Sequence, residues 1–328
     1  MKLTKLPVGD DVRSLRFSPY SSISFSFLSP LCALCALCVI PLFVPSLAHD
    51  GPEHDIEELT ERITKEGASA DLLLQRAVEY QVIKKTAEAI KDLERALQLE
   101  PSSPAALREL GRAYFTAGKT NEALSTVTRG LSSVEPGADR AAILIVRSEI
   151  LRARKDYEKA LEDADQAVKE YPNNVDWYLA RSQIQALLKR TKDRVRGLED
   201  GIKETGSGLL QIEWIDALID DGQHAKALEK IETELNSSRI QSSWLIRRAK
   251  VRLATKQPDA AKADLQAALK ELNSRMSGAA PDPSLLADRG LVHELLGDRD
   301  SAHKDYNQAK DRGMTDEWIT DRIRATKK

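Results

Sequence analysis

Three small residues return at fixed intervals along most of this chain, and that return constrains its fold more than any other feature. In AEAIKDLERALQLEP (Ala87–Pro101) and YEKALEDADQAVKEYP (Tyr157–Pro172) an alanine is followed seven residues later by another, and five further on by proline. These are Ala89, Ala96, Pro101 and Ala160, Ala167, Pro172, with a small residue twelve before each first alanine, Ala77 and Ser148. The same template extends over seven units, through Gly111, Ala123, Gly130; Ser182, Arg194, Gly201; Ile215, Ala227, Glu234; Ala249, Ala261, Ala268; and Gly290, Ala302, Ala309. Eighteen of the 21 positions are Ala, Gly or Ser, so chance is not a credible source of the pattern. Small side chains at these intervals let paired helices cross closely, where overpacking costs roughly 1–3 kcal/mol. Larger apolar residues fill the neighbouring gaps: Leu73, Tyr80 and Leu93 in the first unit, Leu107, Leu110 and Tyr114 in the second. Gly118, Gly222 and Gly297 are placed to turn the chain between the two helices of their units.

A helix–turn–helix recurring about every 34 residues resembles the tetratricopeptide repeat. The resemblance implies an all-α fold: a right-handed superhelical α-solenoid of about seven units, spanning residues 70–314. Steps between units are 34, 37, 34, 33, 34 and 41 residues, and the longest carries the insertion SRMSGAAPDP (Ser274–Pro283), read as a loop or hinge. Such an array needs a terminal element with one polar face at each end. Within residues 49–68, Ile56, Leu59 and Ile63 share one face of a half-repeat helix. Residues 315–328 are expected to form the closing helix, burying Trp318, Ile319 and Ile323. On this reading no second domain is expected within these residues.

The stretch before the repeats differs in kind. Lys2, Lys5, Arg13 and Arg16 precede an apolar run, Phe25–Ala48, that ends in Pro45-Ser46-Leu47-Ala48. Residues 1–48 therefore read as a signal peptide cut before His49, which places the protein in the periplasm or outside the cell. An uncleaved membrane anchor is the alternative, although Pro30, Pro41 and Pro45 break a regular spanning helix. Cys32, Cys35 and Cys38 all fall in this run and serve there as small hydrophobes, lacking the neighbouring charge that stabilises a thiolate. The 48 residues removed hold four basic and two acidic residues, so the net charge passes from −2 to −4. That balance argues against a nucleic-acid partner.

No cofactor and no catalytic constellation is expected. The sequence contains no GxSxG, P-loop or GxGxxG, and His293-Glu294-Leu295-Leu296-Gly297 lacks the second histidine of a zinc-protease helix. His49 and His54, at the new N-terminus, are candidate copper ligands, or simply part of a short acidic tail.

What remains is the surface of the first helices, which in tetratricopeptide arrays lines a groove for extended peptides or partner helices. The positions implied by the resemblance are Leu74, Val78, Gln81; Arg108, Arg112, Phe115; and Ile145, Glu149, Arg152. Arg108, Arg112, Phe115, Ile145 and Arg152 make a basic patch with apolar residues interleaved, suited to gripping carboxylates of a protein or peptide partner. The lysine–asparagine pairing of the family's clamp for chaperone tails is missing. Leu209, Ile212, Ile219, Ile246 and Leu253 offer a second, oilier face in the later units.

Overall fold

The structure is a computed structural model that describes residues 51–276 and 281–327, and every regular element among these residues is an α-helix. The described residues fall into two compact units, 51–210 and 211–327. The first comprises α1 (Gly51–Glu66), α2 (Ala70–Val82), α3 (Thr86–Leu99), α4 (Pro104–Thr116), α5 (Thr120–Ser133), α6 (Ala138–Ala153), α7 (Tyr157–Glu170), α8 (Val175–Leu187) and α9 (Thr191–Thr205). The unit boundary falls within α10 (Gly208–Asp220). After it come α11 (His224–Ser237), α12 (Ser242–Ala254), α13 (Pro258–Arg275), α14 (Pro283–Leu295), α15 (Arg299–Asp311) and α16 (Glu317–Thr326).

Helices pair in chain order: α2 with α3, α4 with α5, α6 with α7 and α8 with α9 in the first unit, α12 with α13 and α14 with α15 in the second. With α10 and α11, joined by the same kind of turn, they make the seven repeats of an all-α solenoid. In the first unit each first helix also packs on the next, α2 on α4, α4 on α6 and α6 on α8. The spaced small residues lie where helices cross: Ala77, Ala89, Ala96, Ala123, Ala160, Ala167, Ala249, Ala261, Ala268, Ala302 and Ala309 are all fully buried. Where glycine takes the place, a large side chain fills the space opposite; a Cβ on Gly290 would come within 2.7 Å of the Tyr306 ring. Arg194, the largest departure from the pattern, is nonetheless 2% exposed. Its Nε donates to Ser182 Oγ at 3.0 Å, on the other small position of the same pair.

Local chemistry sets the helix ends. Ser69 and Ser103 accept backbone N–H bonds at their N-caps, and Pro104, Pro258 and Pro283 open their helices, where a missing N–H costs nothing. All seven intra-repeat turns carry the same paired bonds, as in the first: Lys84 N–H to Gln81 C=O and Lys85 N–H to Tyr80 C=O. This closure puts one residue in the left-handed region. Gly118, Gly222 and Gly297 supply it as expected, but Lys84, Lys155, Lys189 and Lys256 do so in the other four turns.

At the ends, α1 packs on α2 through buried Leu59, and α16 packs on α15 with Ile319 buried and Trp318 edge-on to Tyr306. Two expectations change. The helix at the N-terminal end begins at Gly51, so Pro52 and His54 are part of its first turns rather than of a broken tail. The insertion is partly helical: Ser274 and Arg275 extend α13 to 18 residues, and the rest includes 277–280, outside the described residues. The signal or anchor segment 1–48, its three cysteines and His49 also lie outside the described residues.

Candidate protein-binding face

In residues 51–210 the first helices α2, α4 and α6 stand side by side and bring most of the expected positions together. On α2, Val78 is 38% and Val82 is 61% exposed. Beside them Gln81 Nε2 donates to Glu109 Oε2 of α4 at 3.5 Å. Arg108 Nε donates to Glu109 Oε1 at 2.8 Å, and Arg112 Nη1 lies 3.9 Å from the same oxygen. On α6, Glu149 is half-buried, which pushes its carboxyl pKa up, while the charges of Arg112 and Arg152 pull it back down. Glu109 and Glu149 thus lie among the arginines, and the patch is a mixed network, less basic than the arginines alone suggest.

Two expected positions behave differently from a ligand-facing side chain. Ile145 is 5% exposed and belongs to the core under the face, because α6 is covered by α4 and α8 on both flanks. Phe115 is half-buried against the core cluster of α5 and α6 that includes Val127 and Ile143. Glu109, which the sequence did not single out, is the carboxylate on which Gln81, Arg108 and Arg112 converge; its adjacency to Arg108 hid a contact that spans two helices.

In residues 211–327 the corresponding positions bury charge. Arg247 of α12 meets Asp216 of α10 through Nε and Nη2 at 2.8–3.3 Å, with both side chains under a tenth exposed. Lys250 is 1% exposed. Burial pushes the Asp288 carboxyl up to about 6, against the opposing pull of Arg247 and Arg275. Here Ile219 and Ile246 are core residues, 8% and 0% exposed, so they do not form the oily contact face. His293 sits 3.7 Å from Asp298 and 3.9 Å from Asp305, wedged among carboxylates on α15 and its cap.

His54 is exposed on α1, and among the described residues no three His, Cys, Asp or Glu side chains are grouped to hold a metal. Among the same residues no helix is long and apolar enough to cross a membrane.

Two family models, both described as tetratricopeptide repeat, match residues 84–143 and 145–193. The chain carries tetratricopeptide repeats. The fold of this tetratricopeptide protein is similar to that of a tetratricopeptide repeat protein from Parabacteroides merdae, with a TM-score of 0.56 at 19% identity over 83% of this chain and 99% of that one. A thermophilic member from Thermus thermophilus aligns with a TM-score of 0.42 at 20% identity over 56% of this chain and 99% of that one. Comparison with curated proteins finds no match. The tetratricopeptide fold is a protein–protein interaction scaffold.

Proposed function

We propose that this is an exported, non-catalytic scaffold that holds a peptide or partner helix against the α2–α4–α6 face, in the assembly of a cell-envelope or secretion complex. The observation that carries this reading is the exposure of Val78 and Val82 on α2 and of Arg112 on α4, the helix that packs on it. An amphipathic segment with a carboxylate matches that surface: its apolar side covers the valines, and its charge meets the Arg112 guanidinium. Export rests on the basic, then apolar, then small-residue order of residues 1–48.

A cross-linking pull-down from cell-envelope extract tests it, with the protein as bait beside an Arg108→Ala, Arg112→Ala, Arg152→Ala variant and a Val78→Asp, Val82→Asp variant. A partner captured by the parent and lost from both variants supports the reading. Equal capture by all three removes the face from consideration. An intact mass lacking residues 1–48 supports export, and one retaining them supports a tethered protein.

A further inference from the structure

In five of the seven repeats the residue one before the first small position is arginine, Arg76, Arg147, Arg181, Arg248 and Arg289; the second has Leu110 and the fifth Trp214. In four repeats the arginine grips an aspartate sixteen residues later with both nitrogens of its fork. It also reaches back sixteen residues, to Thr60, Glu232 and Asn273 from Arg76, Arg248 and Arg289. The guanidinium therefore occupies a defined seat between two successive second helices. In the first repeat this seat has an aromatic wall, with the Arg76 guanidinium 5.8 Å from the centre of the Tyr80 ring.

The second repeat keeps the seat and lacks the arginine. Leu110 stands in its place, with Thr126 sixteen residues after it and Glu94 sixteen before. Tyr114 occupies the position equivalent to Tyr80. These residues, with Gln98 and Arg129, line an open cleft of about 250 Å³ between α3, α4 and α5. That is several times the roughly 30 Å³ a water takes up in the liquid. Tyr114 donates its hydroxyl to Glu94 Oε1 at 2.5 Å, and among the described residues the second oxygen, Oε2, has no hydrogen-bond or ion-pair partner. Burial and the neighbouring Glu94 push the Tyr114 phenol up to about 12, so it remains a donor and an intact aromatic wall at physiological pH.

We propose that this cleft is a docking site for an arginine side chain supplied by a partner polypeptide, which takes the seat that an internal arginine fills in five of the other six repeats. Glu94 Oε2 receives the fork, the Tyr114 ring flanks it, and the Thr126 hydroxyl stands where the internal aspartates stand. Arginine suits the seat better than lysine because a planar fork can bond the carboxylate while lying along a ring. Arg129 at the rim and Lys119, whose Nζ is 5.6 Å from the Tyr114 ring, oppose a second cation, so the site selects by shape as well as charge.

Titration of the ¹⁵N-labelled protein with N-acetyl-L-arginine amide, followed by NMR, tests the site. Saturable shifts are expected at Glu94, Gln98, Leu110 and Thr126, at least tenfold weaker for N-acetyl-L-lysine amide. Free L-arginine binds no more tightly than the blocked form if the natural ligand is a polypeptide; tighter binding overturns that source. Glu94→Gln, at an exposed residue that the fold does not need, weakens the arginine probe at least tenfold, and Arg129→Ala tightens it. A Leu110→Arg, Thr126→Asp double variant rebuilds the internal pair, so it raises Tm and abolishes the shifts. Unchanged titration in Glu94→Gln, or weaker binding in Arg129→Ala, overturns the proposal even if the double variant fails to fold.

Discussion

Arg76 and Asp92, sixteen residues apart, meet fork to fork: Nε to Oδ2 at 2.7 Å and Nη2 to Oδ1 at 2.8 Å. Arg147–Asp163, Arg248–Asp264 and Arg289–Asp305 repeat the arrangement. Each aspartate is 5% exposed or less. The pair ties a first helix to the second helix of its own repeat, and three of these arginines add a bond to the helix before, so one side chain couples neighbouring units. In a solenoid, whose stability is a sum of repeats and the interfaces between them, such a tie acts on cooperativity as well as on one unit.

Removing the arginine strands the carboxylate. Arg147→Ala leaves Asp163 buried without its bidentate partner and is expected to cost about 2–3 kcal/mol. Adding Asp163→Asn to Arg147→Ala recovers part of the loss, since the stranded charge is gone. Urea unfolding checks both; a midpoint unmoved by Arg147→Ala refutes the role given to the pair.

The left-handed lysines are a reserve of stability. Lys155 has φ of 64° in a turn whose bonds are made by backbone alone. Lys155→Gly relieves the steric cost at Cβ and offsets the added freedom of the unfolded chain, for a net gain of about 0.5–1 kcal/mol. Gly118→Ala is expected to lose a similar amount. Thermal melts of the two variants should move in opposite directions.

Ala160 and Arg194 hold equivalent positions, and their surroundings decide what each site tolerates. Ala160 is fully buried, and its carbonyl accepts the Ser148 hydroxyl at 2.7 Å. In the next repeat the Ser182 hydroxyl accepts from Arg194 instead. Ala160→Arg therefore finds no space and an already engaged serine, and should lower stability by at least about 3 kcal/mol. Arg194→Ala opens a cavity and costs about 2 kcal/mol. Denaturation midpoints test both, and an Ala160→Arg variant as stable as the parent would refute the helix register.

Asp288 gives residues 211–327 a pH dependence. Its carboxyl is raised from 3.8 to about 6, chiefly by burial, with Asp216 and Asp282 adding to the rise and Arg247 and Arg275 opposing it. The folded state thus holds this proton more tightly than the unfolded chain. Its contribution to stability is fully present below pH about 4, falls as pH rises to about 6, and amounts to at most about 3 kcal/mol. Asp288→Asn removes that slope. Stability measured from pH 4 to 7 should fall less steeply in the variant, and parallel curves would show that Asp288 does not titrate in this window.

Helices, turns and crossings were legible because each is written in local spacing. A small residue every twelve and seven positions, a proline at a helix start and a glycine in a turn act within a few residues of themselves, and a one-dimensional pattern records them. The lysine turns are not written in that pattern because lysine has no preference for the left-handed region; seven copies of one backbone motif, held by the same two bonds, impose it.

The sequence by itself determined the repeat, its seven copies and where helices cross, since small residues at fixed spacing mark the crossings. Only the tertiary structure decided how the charges are shared. Glu109 gathers Gln81 from 28 residues away, and Asp216 meets Arg247 across 31. Ile145 is sealed under the face it was expected to line, and Leu110 leaves open the seat that arginine fills in five other repeats. Such pairings depend on how far a flexible side chain reaches across a helix crossing, a distance of a few ångströms that no spacing along the chain encodes.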